Sequence, residues 1–321
     1  MRLCRKAVLF SNKSLAGQLW SSLGASFDSE FKPLQEEMDK WGLMIQLKTQ
    51  QLATASMVDA DKFRRRNYKQ RTLHLLSPNQ PQHITTWRRH RKKGDCKWIY
   101  QTAAYKSWIA EDKSSTLCVS GKLGSGKTVM MANIVAQINM HQTCAFFFCT
   151  FKDQDSLKAT AVLGSIAFHL LDSIPGDDST WDVLSRQDDT VSRVLTSAEI
   201  INLLTNLLPE HAKYVLVLDG LEDCPNDEIT EVIHGIRRLM ARRIVLLCYS
   251  ARSGSMFQRL TVEKLAAKIS ISLDEEMHDE EIKAYITEEI ARRKQTSQPG
   301  LFSDELVELV KQQLLAGAQG M

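Results

Sequence analysis

Gly121-Lys122-Leu123-Gly124-Ser125-Gly126-Lys127-Thr128 is the stretch that decides how this chain is read. It fits the spacing G-x-x-x-x-G-K-[ST] in full, follows the short apolar run Thr116-Leu117-Cys118-Val119-Ser120, and is succeeded at once by a helical pattern. In that setting a glycine-rich turn lets successive backbone N–H groups close around phosphate oxygens, while the next helix points the positive end of its dipole at them. Gly121, Gly124, Ser125 and Gly126 form the expected cradle. Lys127 is expected to reach the β- and γ-phosphates of a nucleotide, and Thr128 to offer its hydroxyl to a bridging Mg2+ ion.

A second stretch has the matching chemistry. Lys213-Tyr214-Val215-Leu216-Val217-Leu218-Asp219-Gly220-Leu221-Glu222-Asp223 is a continuous apolar run ending in acids, the pattern of a parallel strand buried on both faces with carboxylates at its C-terminal tip. Open α/β sheets bind ligands at the carboxyl ends of their strands. Asp219 is therefore expected beside the phosphate loop, holding Mg2+ through water, with Glu222 and Asp223 just past it where a carboxylate could orient an attacking water.

Five strand candidates follow an alternating pattern: Leu117 to Ser120, Cys144 to Cys149, Tyr214 to Leu218, Ile244 to Tyr249 and Ile269 to Leu273. Helical stretches separate them, among them Val129 to Met140, Leu157 to Leu171 and Ser197 to Leu208, so the fold class expected is α/β with a parallel sheet covered on both faces. The polar stretch Pro175 to Thr196 is expected to run over the surface. Beyond the fifth strand, Asp279 to Lys294 and Ser303 to Leu315 have helical patterns, the second opening on the cap residue Ser303. Ahead of the first strand, Trp98, Tyr105 and Trp108 are spaced to anchor a helix on the sheet.

The chain has 321 residues, enough for an α/β core and an appended module, and its net charge of +3 implies no bulk attraction to nucleic acid or membrane. Acids gather from Asp274 to Glu281 and after Ser303, whereas bases cluster before the phosphate loop. Seven cysteines occur singly, without C-x-x-C spacing, and Cys118, Cys144, Cys149 and Cys248 fall in the apolar strands. They are expected to be reduced core residues of a cytoplasmic protein. No segment approaches the roughly 20 apolar residues needed to cross a bilayer.

The first 27 residues lack acids and carry Arg2, Arg5, Lys6 and Lys13, a composition shared by presequences and by basic amphipathic helices, of which the second is the reading adopted. From Phe27 the apolar residues step through Phe31, Leu34, Met38, Trp41, Ile45 and Leu52 at heptad-like gaps broken by Lys48. The regular helix is expected to start at Pro33 and its stripe to pack on neighbouring helices of the same chain. Between Met57 and Gln82 the pattern fades, and Ser77-Pro78-Asn79 has turn chemistry. The divisions expected are a helical N-terminal region (1–82), a P-loop core (83–275) and the start of a helical subdomain (276–321). The basic run Arg88 to Lys93 is expected to be a solvated helical face, a nuclear import signal or a nucleic-acid patch being the alternatives.

From about Trp87 onward, through SSTLCVSGKLGSGKT, HQTCAFFFCTFKDQDSLKATAVLGSIAFHLL, KYVLVLDGLEDC and IVLLCYSAR, the chain resembles the NACHT-type signal-transduction NTPases of the STAND class, in particular fungal NOD-like receptors whose P-loop region is related to that of nephrocystin. The resemblance implies the sheet order 5-1-4-3-2, an ATP/ADP switch, and Arg252 as the residue sensing the γ-phosphate at the end of the fourth strand. Family members usually read Asp-Gly-Leu-Asp-Glu where this chain has Asp219-Gly220-Leu221-Glu222-Asp223, so the acid at 223 is one methylene shorter. A displacement near 1 Å can cost about 10²-fold in rate, and at most slow NTP hydrolysis is expected. Full-length family members carry a winged helix and ligand-sensing repeats after this point, so the helical subdomain is expected to be truncated, with a truncated gene model, a fragment and a short paralogue as the alternatives.

Three function classes follow. The first is a nucleotide-gated signalling switch taking ATP and Mg2+, with a homo-oligomer or a helical N-terminal partner transmitting the outcome. The second is a catalytic P-loop ATPase or phosphotransferase, and the third a nucleic-acid-binding ATPase using Arg88 to Lys93. GTP is disfavoured by the lack of an Asn-Lys-x-Asp segment, although some relatives are thought to accept it.

Overall fold

The computed structural model describes residues 12, 14, 15, 17, 18, 27–91, 96–185, 195–265, 269–273, 279–296 and 304–317. The expected basic helix in the first 27 residues, the acids Asp274, Glu275 and Glu276, the cap at Ser303, and Lys92 and Lys93 of the basic run lie outside the described residues. The chain divides into two compact units, 1–64 and 65–321.

The second unit holds the sheet. Its strands are β1 (Ser115–Gly121), β2 (Cys144–Phe148), β3 (Lys213–Asp219), β4 (Ile244–Arg252) and β5 (Ile269–Ser272), all parallel, in the order β2-β3-β4-β1-β5. That is the expected order 5-1-4-3-2 read from the other edge. Each strand candidate is found within a few residues of its expected ends.

Strand alternation sorts the apolar run of β3 onto two faces. Leu216 and Leu218 join one core with Phe147, Leu247 and Tyr249, covered by α5 (Ala159–Asp172), α7 (Ser197–Leu207) and α8 (Asn226–Met240). Val215 and Val217 join the other with Leu117, Val119, Phe146 and Leu246, covered by α2 (Gln80–Arg91), α3 (Ala103–Ala110) and α4 (Lys127–Asn139). Because both faces are covered, the unbroken apolar run Tyr214 to Leu218 of β3 is stabilising at each of its positions. The covering helices supply matching stripes: Met131, Ile134, Val135 and Ile138 on α4, and Ile229, Val232, Ile233, Ile236 and Leu239 on α8. Trp108 and Tyr105, both on α3, are buried as expected.

Three expectations need correction. The first concerns α1 (Phe27–Leu76), which neither starts at Pro33 nor fades after Met57. Pro33 lies inside it, where its ring costs one backbone hydrogen bond, and the helix runs without a break to the expected turn at Ser77-Pro78-Asn79. The second concerns the apolar stripe: Met38, Trp41, Ile45 and Leu52, within the first unit, are each more than half exposed. Exposed, they leave the register of the heptad without the partner that a seam requires.

The third concerns Pro175 to Thr196, only part of which runs over the surface. Trp181, in the short helix α6 (Thr180–Ser185), is fully buried, and its indole N–H donates to the Pro175 carbonyl at 3.0 Å. Beside it the Arg65 guanidinium forks onto both carboxylate oxygens of Asp182 at 2.8 and 2.6 Å. Lys69 donates to the carbonyls of Asp172 and Ile174 at 2.6 and 2.8 Å, capping the C-terminus of α5 with a positive charge. Residues 65–76 are thereby part of the second unit, with Leu73 and Leu76 in its core.

On α2, Arg88 and Arg89 keep part of their surface open to solvent, the face expected of them. Past the sheet, α9 (Met256–Leu265) leads to β5, and α10 (Asp279–Thr296) and α11 (Asp304–Gly317) pack on each other.

Candidate functional site

The loop from Gly121 to Thr128 joins the C-terminal end of β1 to the first turn of α4. Gly124 and Gly126 have φ of 87° and 85°, left-handed values that glycine adopts without the penalty a Cβ brings. A Cβ at either position would meet nothing within 4 Å, so conformation and not crowding selects glycine here. Gly126 caps α4 without a side chain, leaving the first amides of the helix directed into the loop.

Lys127 opens α4 and its ammonium donates to the carbonyls of Gly121 and Lys122 at 2.7 Å each, so the side chain folds back across the loop. Ser125 carries a buried hydroxyl with no hydrogen-bond partner among the described residues, a polar atom of the kind a phosphate oxygen would satisfy. The loop residues therefore fit a phosphate group: helix-terminal amides, a cationic side chain and an unsatisfied hydroxyl belong to one short turn.

Across the sheet rim, Asp219 ends β3 and is 4% exposed. The Ser250 hydroxyl donates to its Oδ1 at 2.5 Å, and Thr128, from the first turn of α4, also hydrogen bonds to the carboxylate. Burial pushes the Asp219 carboxyl above its ordinary value, while the bonds from Ser250 and Thr128 and the Lys127 charge pull it back. Thr128 and Asp219 thus supply an alcohol and a carboxylate side by side, hard oxygen donors that suit Mg2+. Among the described residues no cluster of three or more His, Cys, Asp or Glu could hold a metal by itself. A Mg2+ site of this type completes its shell with phosphate and water.

Glu222 and Asp223 lie on a single turn of 3-10 helix (Leu221–Asp223) that begins at Gly220, whose φ is 76°. Arg252, the last residue of β4, binds both acids: its Nε meets Glu222 at 2.9 Å and a guanidinium N–H meets Asp223 Oδ1 at 2.7 Å. The Arg252 backbone N–H also donates to Glu222 at 2.7 Å. Burial raises the Glu222 carboxyl, and the Arg252 amide and guanidinium oppose that rise. Strand register sets Arg252 directly beside Gly121, so the acids and the phosphate loop share one arginine as neighbour.

The geometry gathers every residue expected at the site. Gly121, Gly124, Ser125, Gly126, Lys127 and Thr128 lie on the loop, Asp219 lies against Thr128, and Arg252 joins Glu222 to Asp223. Ser250 was not among the expected residues. Its signal was available as a hydroxyl near the end of an otherwise apolar strand, Cys248-Tyr249-Ser250-Ala251-Arg252, two positions before the arginine.

Comparison with known proteins agrees with this arrangement. Residues 94–251 match the family model for the nephrocystin 3 N-terminal region. Vegetative incompatibility protein HET-E-1 of Podospora anserina is 22% identical over 204 residues, which cover 60% of this chain and 15% of that protein. The chain therefore spans only a small part of that relative's length. A solved structure of AMPPCP-bound DnaA from Aquifex aeolicus aligns over 70% of this chain and 59% of its own, with 12% identity and a TM-score of 0.37. With the complete phosphate-loop motif, the acid-tipped strand and the strand order already described, the family match over residues 94–251 supports a NACHT-like P-loop domain around Gly121–Thr128, similar to the nephrocystin 3 N-terminal region.

Proposed function

We propose that this chain is the ATP/ADP-binding module of a NACHT-type signalling switch, of the self/non-self or innate-immune-like kind found in fungi, with slow or no hydrolysis. The observation that carries this reading is the meeting of Thr128 with Asp219 next to a loop crossed by Lys127. In this reading the loop amides, Ser125 and Lys127 hold the phosphates, and Thr128 and Asp219 hold Mg2+. Glu222 and Asp223 face the attacking water.

Arg252 supports the switch over a turnover enzyme. Its guanidinium neutralises both acids, and it stands beside the first glycine of the loop. A γ-phosphate on the loop would compete with the acids for that guanidinium, whereas ADP would not. The two nucleotides then bind the arginine-clamped and released arrangements with different affinity, which is the requirement for a ligand to shift a conformational equilibrium. The residue divisions in this reading are 1–82 for the helical transmitting region, 83–275 for the nucleotide core and 276–321 for the helical subdomain.

Lys127→Ala tests the reading. Lys127 is the cation placed on the loop as a point charge for phosphate, so the variant is expected to fold and to lose measurable binding of a fluorescent ATP analogue. Affinity equal to that of the unsubstituted protein in a folded variant would refute the assignment.

A further inference from the structure

Cys149 and Cys224 sit where the nucleotide reading gives them no task. Cys149 directly follows β2, and its backbone N–H donates to the Asp219 carbonyl at 2.9 Å. Cys224 closes the turn that carries Glu222 and Asp223, its N–H donating to the Leu221 carbonyl at 3.1 Å. Their sulfurs lie 3.6 Å apart. Packing between the two segments is close throughout: a Cβ on Gly220 would come within 2.9 Å of the Cys149 carbonyl oxygen.

We propose that Cys149 and Cys224 are a modification site, a dithiol that peroxide-class oxidants convert reversibly to a disulfide tying the end of β2 to the turn bearing Glu222 and Asp223. Cys224 is the attacking sulfur. The neighbouring Cys149 thiol holds the Cys224 pKa below the usual thiol range although burial opposes it. Each retains a little exposure, 9% for Cys149 and 7% for Cys224, at the sheet rim that carries the phosphate loop. Cys118, Cys144 and Cys248, by contrast, are interior strand residues with thiols pushed up by burial.

The chemistry balances with hydrogen peroxide as oxidant. The Cys224 thiolate attacks a peroxide oxygen, an S–O bond forms, the O–O bond breaks, and hydroxide leaves to be protonated to water. Cys149 sulfur then attacks the sulfenic sulfur. An S–S bond forms, the S–O bond breaks, and the departing hydroxide takes the Cys149 proton to give a second water. Two thiols have lost two electrons and one peroxide has gained them.

A bond of about 2.05 Å requires the sulfurs to approach by roughly 1.5 Å. Cys224 is next to Asp223, so whatever part of that approach the two side chains do not absorb by rotation shifts the turn. A misplacement of about 1 Å near reacting groups can cost about 10²-fold in rate, and oxidation is expected to impair whatever Glu222 and Asp223 do. That consequence rests on the nucleotide reading, while formation of the cross-link does not.

The test is made on the whole chain under native conditions. Protein is treated with hydrogen peroxide, remaining thiols are blocked with N-ethylmaleimide, and the digest is analysed by mass spectrometry without reductant. A peptide pair joined through Cys149 and Cys224, lighter than the two thiol peptides by two hydrogens and separated by dithiothreitol, is expected. The pair should be missing from Cys149→Ser and from Cys224→Ser. Recovery of both cysteines as maleimide adducts, or of Cys224 as sulfinic acid with Cys149 still free, would overturn the proposal. Nucleotide affinity plays no part in this readout, so failure of the cross-link and failure of the nucleotide assignment are distinguishable.

Discussion

Ser250→Ala isolates one contact at the heart of the site. Ser250 is 2% exposed and its hydroxyl donates at 2.5 Å to Asp219, itself 4% exposed, so no solvent can replace the lost donor. Hydrogen bonds to charged groups contribute about 1.5–3 kcal/mol. A domain of this size loses roughly 2–4 °C of Tm per kcal/mol, which puts the expected fall at about 3–12 °C. The size of the fall should depend on pH, with a definite sign. Burial raises the folded-state pKa of Asp219 above its ordinary 3.8, so between those values the folded protein holds a proton that the unfolded chain has released. The contribution of this group to stability therefore declines as pH rises through that window. Removing the Ser250 donor raises the folded pKa further and widens the window upward. The deficit of the variant should be smallest where Asp219 is protonated in both proteins and should grow as pH rises, levelling above the raised value. Thermal unfolding of both proteins over a pH series that starts near the ordinary value of 3.8 and runs upward measures it. A deficit that is constant with pH, or larger at acid pH, would show that Ser250 does not stabilise the ionised form of Asp219.

Three further outcomes are expected. Trp181→Ala removes a fully buried indole and should cost about 3–5 kcal/mol, seen as a large drop in Tm; a loss below about 1 kcal/mol would mean that the segment around α6 is not docked. His169 is held neutral by burial with its pKa lowered to about 4, and its Nε2 lies 2.8 Å from the Gln80 amide nitrogen, which donates to it. Stability from this group is complete above the unfolded value near 6.5 and is lost as pH falls toward 4, so His169→Gln should flatten that limb of the stability profile, and an unchanged slope would exclude His169 as its source. Steady-state phosphate release with Mg-ATP should run well below the common enzyme median of about 10 s⁻¹, and a rate at or above it would favour the catalytic class over the switch.

The parts of this fold legible in the sequence are those written in local pattern. β3 could be recognised because burial on both faces demands an unbroken apolar run, and the phosphate loop because its left-handed glycines must stand at fixed spacing before a helix. The helix expected from Ser197 to Leu208 was legible in its apolar spacing, and the structure adds a reciprocal capping box between Thr196 and Glu199 at its start. What escaped depends on partners distant in sequence. Ser250 meets Asp219 across 31 residues and Arg65 meets Asp182 across 117, and although a hydroxyl in an apolar strand marks Ser250 as unusual, no local pattern names the partner of either. Polarity misled the reading of 175–196, because one buried tryptophan outweighs the charged residues around it. The α1 stripe misled in the opposite direction: heptad spacing signals a helix with an apolar face, yet it cannot say that anything covers that face, and Met38, Trp41, Ile45 and Leu52 are exposed.

The shortened acid at 223 and the arginine at 252 bear on one another. An acid that orients water must keep a carboxylate oxygen free and suitably directed to accept a hydrogen bond, and a paired guanidinium occupies part of that capacity and turns the carboxylate toward itself. Glu222 accepts from both the backbone and the guanidinium of Arg252, while Asp223 accepts from the remaining arm of the same fork. Arg252 is 45% exposed, so solvent screens its pair with Asp223, itself 27% exposed, more than its pair with Glu222, which is 9% exposed, and the guanidinium stays open to a competing anion. A weak clamp is what a switch requires: a charge-assisted bond from the guanidinium to a phosphate oxygen is of comparable or greater strength and can displace it. In the proposed cycle, then, the γ-phosphate releases the acids by taking their arginine, and its loss returns the arginine to them. The shorter reach of Asp223 keeps the released acid back from the phosphate, which favours a long-lived ATP state over rapid turnover.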